Sequence, residues 1–594
     1  MTRTPPRAAP ARPRRAPTPL ALAAALCLAA ACGHPWANLP VSEQARPSTR
    51  QNARLRGSAP PVAASVTYER ILRAREEPRN WLTYFGTYDG QRFSALAQVD
   101  TSNVKRLRPA WIFQQGVLGL IASPATYAME ASPIVVDGVM FVSGYDGWVW
   151  ALDAATGETL WQYHHPTPVD VPLCCGNVNR GVAVAEGKVF FASANAHLVA
   201  LDAVTGRPVW ETVFADVKAG ESATGAPLVV RNLVLVGSAG GEYGVRGHID
   251  AMEVATGRRV WRRYNVPAPG EPGSETWPAG SDAWTRGGGT SWTTGTYDAE
   301  LDLVYWGTSN PGPDFDGSVR PGDNLYTSSI VAFRPGDGRL VWHYQTTPHD
   351  VWDYDAISEP ILFDRGGRRL VAQFNKNGHL YVLDRADGRP VHVTPYARVT
   401  WADVDERTGA VTVKLTPSRE GTRICPGLAG AKEWNHAAYH PGTGLLYAPV
   451  IELCATYFLA ESDFEEGLQF WGGSFMPDPQ GMWGEVKAVD PATGRIAWSW
   501  RDPHPVVSSV LATAGGLVFV GRASGELAAL HARTGELLWQ FQTGSGIHGS
   551  PVTYSVGGKQ YVAVPSGWGA ATKGFAPEMA AAPRGASIVV FSLP

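Results

Sequence analysis

The chain has 594 residues, 44% of them hydrophobic and 18% charged, with a formal net charge of −3. That balance belongs to a globular protein, and it excludes both the basic excess of a nucleic-acid binder and a long charged tail. The 65 glycines and 22 tryptophans favour a turn-rich all-β architecture with a repeated aromatic device over a helical bundle.

Residues 1–32 carry Arg7, Arg12, Arg14 and Arg15, followed by an apolar run from Leu20 to Cys32. A basic start, a short apolar stretch and small residues at its end read as a secretory signal, shorter than a membrane span. Export to the periplasm is therefore expected. Arg14-Arg15 lacks the flanking residues of a twin-arginine signal. Cys32, behind three alanines, is a candidate lipid-attachment cysteine that would anchor the chain to a membrane. Residues 33–65, rich in Pro, Ala, Arg and Ser, read as a disordered leader; residues 66–594 read as one domain.

From residue 151 onward a repeat emerges: Gly followed four residues later by Trp. It occurs at Gly157 and Trp161, Gly206 and Trp210, Gly257 and Trp261, Gly338 and Trp342, Gly494 and Trp498, and Gly535 and Trp539. Gly388 keeps the frame but carries His392 in the Trp position. The intervals are 49, 51, 81, 50, 106 and 41 residues, and a period of about 40–50 residues predicts propeller blades of four strands. The Trp is expected to dock one blade against the next, with Gly supplying the positive φ of the turn. A last blade, divided between the degenerate segment 401–460 and strands near Trp81 to Trp111, completes an eight-bladed β-propeller.

Propellers bind ligands near the axis, so polar residues that break the blade pattern are informative. Adjacent Cys174 and Cys175 have Cα atoms about 3.8 Å apart, against about 4.4–6.8 Å for an ordinary disulfide. Either they close a strained ring or each serves elsewhere. Cys425 and Cys454 are the other two cysteines beyond Cys27 and Cys32, and an even number in an exported chain predicts disulfides. Glu242 in a Gly-rich stretch, Asn310, Asp353 and Asp355 offer hard oxygen ligands suited to a hard cation. Taken singly, Asp353 could end a turn and Glu242 could pair with Arg246. No Cys-x-x-Cys-His is present, so electrons must leave through a partner rather than a haem of this chain.

The runs Cys-Cys-x4-Arg, Gly-Gly-Glu-x-Gly-Val-Arg-Gly, Gly-Gly-Gly-Thr-x-Trp and Pro-His-Asp-x-Trp-Asp-Tyr-Asp occur in that order over residues 80–570. In these the chain resembles the alcohol dehydrogenases dependent on pyrroloquinoline quinone (PQQ). The resemblance implies that a Cys174–Cys175 disulfide covers one face of the flat quinone and that Trp292 stacks on the other. It implies Arg180 at a quinone carboxylate, Lys376 at the quinone oxygens, and further contacts from Glu130, Thr224, Ala239, Gly240, Gly241, Thr290 and Asn435. Cys425–Cys454 would be the second disulfide.

The same resemblance assigns Glu242, Asn310 and Asp353 to the metal, with Asp353 as general base and Glu242 as the alternative base. Asp355, two positions on, marks the lanthanide-dependent branch, so a lanthanide is favoured over calcium. The implied partners are a small alcohol, a soluble cytochrome c, and a second copy of the chain in a homodimer. An aldose or polyol dehydrogenase with the same cofactor, and a non-catalytic propeller scaffold, are the competing readings. Phe315 and Ile547 are expected as pocket walls, while the local sequence around Val507 argues against a cofactor contact there.

Overall fold

The computed structural model describes residues 66–115, 129–168, 171–478, 482–567 and 585–594. The signal segment 1–32, the leader 33–65 and Cys32 lie outside the described residues. The fold is an all-β, propeller-like array in which eight sheets of four or five strands account for most of the described chain. Among the described residues no helix is long and apolar enough to cross a membrane.

Each repeat folds into consecutive antiparallel strands, as in Ile134–Val136, Val139–Ser143, Trp148–Asp153 and Thr159–His164. The second strand of this sheet is buried along its whole length, because apolar residues face neighbouring sheets on both sides. The fourth strand is mostly half-buried, with Trp161 buried and Gln162 exposed.

Just before the Trp position the outer pairing skips one residue. This happens at Leu160, Val209, Val260, Val341, Val391, Ala497 and Leu538. Such a bulge increases local twist and re-aims the following side chain. Trp161 is thereby turned onto the next repeat, where its Nε1 donates to Ala203 O at 3.0 Å. Trp111, Trp210, Trp261, Trp342 and Trp498 make the same bond one repeat on.

The glycine of the motif therefore serves two ends. Gly206 has φ +68°, and a Cβ there would lie 2.6 Å from the Trp161 ring of the preceding sheet. His392 reproduces the bond in shortened form, with Nε2 against Pro491 O at 2.7 Å, and Gly494 meets Thr394 instead of an indole.

The segment 401–460 does not contribute a blade of its own. Ala438–His440 and Leu445–Glu452 are the first strands of the sheet that holds Trp498, completed by Trp483–Val489 and Ile496–Asp502. The remaining four-stranded sheet joins an early strand to the last one: Arg108–Gln114 pairs antiparallel with Ala586–Ser592. Trp111 lacks a glycine four residues earlier, which is why the motif does not announce this strand.

Candidate active site

The segments that lead into the first strands of six successive sheets line a cavity of about 160 Å³. They bring in Glu130, then Cys174, Cys175 and Arg180, then Thr224, Trp292, Asp353 with Asp355, and Glu433 with Trp434. Two turns inside sheets add Ala239, Gly240 and Glu242 from one and Lys376 from another.

Local backbone chemistry sets the acidic side chains. Gly240 and Gly244, at φ 98° and 64°, flank the short turn Gly241–Tyr243, and a Cβ on Gly240 would meet Gly220 O at 2.0 Å. Only glycine fits, and the turn presents Glu242 to the cavity. Arg246 does not pair with Glu242; it donates to Val266 O and Glu271. Asp350 accepts from the amides of Trp352 and Tyr354 and from Ser328 Oγ, at 2.9, 2.7 and 2.9 Å. Between these anchors Asp353 takes φ +61°, a conformation that Asp tolerates better than most residues. Asp355 Oδ1 accepts from the Asn310 amide at 2.9 Å.

Cys174 and Cys175 are bonded to each other, as are Cys425 and Cys454. Both sulfurs of the adjacent pair and a Glu242 carboxylate oxygen lie within 4.8 Å of one another, so the disulfide and this acid share one wall. Arg180 is 5% exposed. Its guanidinium carbon lies 4.9 Å from the Trp292 ring centroid and 4.8 Å from that of Trp434, and Nη2 sits 2.9 Å from Glu130 Oε2.

Lys376 Nζ lies 2.9 Å from Glu433 Oε1, 3.3 Å from Asp353 Oδ1 and 3.5 Å from Asp355 Oδ2. Its ammonium is the centre of this group, because Glu242, Asp353 and Asp355 do not bring three carboxylate oxygens within 4.8 Å of one another. Burial would lower the Lys376 pKa, but Asp353, Glu433 and Asp355 override it and hold the amine well above its ordinary value. The acids shift the other way. Burial, reinforced by Asp355, pushes Glu242 up to about 7. Burial also raises Asp353, Asp355 and Glu433, with Lys376 opposing each shift. One ammonium faces more carboxylates than it can neutralise.

Six predicted residues do not line the cavity. Thr290 Oγ1 bonds Ser309 Oγ at 3.0 Å, and Gly241 stands against the same two hydroxyls. Asn310 bonds Asp314 and Asp355. Asn435 is fully buried, donates to Val506 O at 2.8 Å and accepts from the Glu433 amide at 3.0 Å, so it braces the wall. Phe315 packs against Tyr457, Trp471 and Phe475, Ile547 lies in the core against Gly521, and Val507 is likewise buried away from the cavity. Sequence reasoning missed Glu433 and Trp434. The available signal was an acid beside an aromatic residue directly before Asn435.

Residues 81–413 and 467–562 match the family described as PQQ: glucose/ethanol/alcohol dehydrogenase, beta-propeller domain. The chain belongs to this family. It is 38% identical over 541 residues to the quinoprotein alcohol dehydrogenase PedH of Pseudomonas putida, covering 86% of this chain and 89% of that one. It is 37% identical to the lanthanide-dependent methanol dehydrogenase of Methylacidiphilum fumariolicum, over 84% of this chain and 87% of the other. Among solved structures, a europium-containing methanol dehydrogenase aligns with TM-score 0.82 at 34% identity, over 88% of this chain and all of that one.

The residues present fit the family's cofactor. Arg180 Nε and Nη1 are buried donors without an acceptor, a costly arrangement that an anionic ligand resolves. The disulfide, Trp292 and Trp434 are rigid surfaces on which a planar ring system can pack. The acids offer the oxygen donors of a hard metal, and a bound cation would favour the ionised form that burial disfavours.

Proposed function

We propose that the chain is a periplasmic quinoprotein that oxidises an alcohol to an aldehyde with PQQ and a lanthanide, passing electrons to a cytochrome c. Each of the eight sheets is one blade in this reading. The observation that carries it is the pairing, in one cavity, of an arginine with orphaned donors and an acidic group that exceeds its single lysine. Export rests on the signal pattern of residues 1–32, in which Cys32 is a candidate lipid-attachment cysteine; the external acceptor rests on the missing haem motif.

PQQ would supply a hydride acceptor for the carbinol carbon, and the metal would supply Lewis acidity. The protein's own residues do the rest. Arg180 holds a cofactor carboxylate as a charged fork, and the disulfide and Trp292 fix the ring plane and exclude water. Asp353 takes the alcohol hydroxyl proton onto a carboxylate oxygen. Glu242, Asn310, Asp353 and Asp355 would hold the metal, and Lys376, on a flexible stem already bonded to Glu433, is the group that yields to it. Asp355 adds the negative charge that favours a trivalent ion.

The test is to load metal-free protein with PQQ and either calcium or lanthanum, then assay alcohols and sugars with an artificial electron acceptor. Alcohol turnover with lanthanum is expected. Turnover of sugars alone would replace the substrate class, calcium-only activity would replace the metal, and inactivity with every metal despite bound PQQ would overturn the reading.

A further inference from the structure

Asn310 is strapped at two points. Its backbone N–H donates to Asp355 Oδ1 at 2.9 Å, and its side-chain Nδ2 donates to Asp314 Oδ1 at 2.9 Å, with Pro311 O a longer acceptor at 3.4 Å. An ionised carboxylate only accepts, so Asp314 fixes which end of the amide carries hydrogen. The Asn310 carbonyl oxygen is then the end left for a cation.

Asp314 itself is 2% exposed. Burial raises its pKa well above the ordinary carboxylate value, Glu242 and Asp355 add to that as like charges, and the Asn310 hydrogen bond and Arg320 oppose it, so a cation close by is what would keep it ionised. Yet Arg320 directs its donors elsewhere. Nε and Nη2 reach Pro313 O at 3.2 and 2.9 Å, Nη2 also reaches Asp350 O at 2.6 Å, and Nη1 reaches Asn324 Oδ1 at 2.8 Å. All are neutral acceptors. A buried carboxylate whose side-chain partner is a neutral amide is expensive to keep unless another positive charge comes close.

We infer that Asp314 is a positioning residue of the cation site: it aims the Asn310 carbonyl at the metal and supplies an additional buried negative charge that favours a trivalent over a divalent ion. The inference rests on the metal reading of the proposed function. It extends the acidic group beyond Glu242, Asp353 and Asp355 to a side chain that does not line the cavity. Attraction to a fixed charge scales with the charge of the ion. Removing that charge therefore weakens trivalent binding by more orders of magnitude than divalent binding, in a ratio of about three to two.

The experiment titrates PQQ-loaded protein with Eu³⁺, read by luminescence, and separately with Ca²⁺, read by calorimetry, for wild type and Asp314→Asn. Losing a group that orients a metal ligand typically costs about 10–100-fold in affinity. At the upper end, about 100-fold for Eu³⁺ goes with about 20-fold for Ca²⁺, so selectivity falls about five-fold. Asp314→Ser, a smaller neutral acceptor, provides the same test should Asp314→Asn not fold. Asp314→Glu, which keeps the charge, should hold the Eu³⁺ to Ca²⁺ ratio within about two-fold if charge sets selectivity. Unchanged Eu³⁺ and Ca²⁺ affinities in the neutral variants would overturn the role of Asp314 and leave the metal site standing. Equal fractional losses for both ions would overturn the charge argument. Failure of wild type to bind either ion would instead overturn the metal reading itself.

Discussion

Two buried acid–lysine groups stand side by side in this fold and behave oppositely. Behind the cavity wall, Glu359 Oε2 meets Lys432 Nζ and His436 Nδ1, each at 2.9 Å, and Oε1 accepts from the Ala437 amide at 2.7 Å. Burial would raise the Glu359 pKa, but Lys432 and His436 override it and hold the carboxyl down at about 2. Burial pushes His436 down to about 4, so it stays neutral, with Nδ1–H on the carboxylate and Nε2 accepting from Tyr84 OH at 2.9 Å. One negative charge meets one positive charge, and the acceptors are filled. In the cavity, by contrast, Lys376 faces Asp353, Asp355 and Glu433 at once, and these acids shift upward. Burial is common to both groups. Charge balance separates the one that holds the structure from the one built to receive a ligand.

The strongest way to break this comparison is Asp353→Asn, which keeps the shape and tolerates the φ of +61° but removes the base. We expect kcat to fall about 10⁴-fold, the upper end for a positioned base, because the same carboxylate is proposed to hold the metal. Absorbance titration should show PQQ still bound; near-normal turnover would move the base to Glu242. Lys432→Met tests the other group. Removing one partner of a buried pair costs about 3–5 kcal/mol, so a denaturant midpoint well below that of wild type is expected, with little change in kcat for the protein that remains folded. A stable but inactive Lys432→Met would show that the balanced group also belongs to the chemistry.

Arg180→Lys is milder. The lysine keeps the charge but loses the fork and its contact with the Trp292 and Trp434 rings. Loss of charge-assisted bonds worth about 1.5–3 kcal/mol predicts a PQQ dissociation constant raised about 10–100-fold, measured by fluorescence quenching. Unchanged affinity would leave the orphaned Arg180 donors without their proposed ligand.

Much of this was legible along the chain because each motif is local. The Gly and Trp of a repeat lie four residues apart, and the Cys174-Cys175 pair, Glu242, Asp353 and Asp355 sit in short distinctive runs. What stayed hidden depends on which way a turn faces. In Lys432-Glu433-Trp434-Asn435-His436, Glu433 and Trp434 turn to the cavity, whereas Lys432 and His436 turn to Glu359 and Asn435 is absorbed by backbone groups. No pattern of residue types separates those directions. The docking Trp was expected to join neighbouring blades, but that its ring covers the next repeat's glycine required the bulge before it. Pairing of the early strand Arg108–Gln114 with the last likewise leaves no local trace, since the partners are more than 470 residues apart, as Arg108 and Ser592 show.

The smallest effect sharpens the contrast through pH. Glu359 titrates at about 2 in the fold against an ordinary 4.5. A depressed carboxyl contributes stability that is fully present above the unfolded value and is lost as pH falls toward the folded one. Buried histidines such as His436 and His379, held near 4, also weaken the fold between pH 6.5 and 4, so the absolute stability curve does not isolate Glu359. The difference between wild type and Glu359→Gln, which keeps the shape, cancels distant histidines such as His379 and reports Glu359 together with its partner His436. That gap should be constant above about pH 5 and shrink by less than about 1 kcal/mol on going to pH 3.5, because protonation of His436 near pH 4 offsets part of the loss, followed by urea unfolding. Adding lanthanum should leave the narrowing unaltered, because this carboxylate already has its cation in Lys432. A gap that responded to lanthanum would mean that the two groups share their charge, and the division between a structural pair and a ligand-binding acid group would fail.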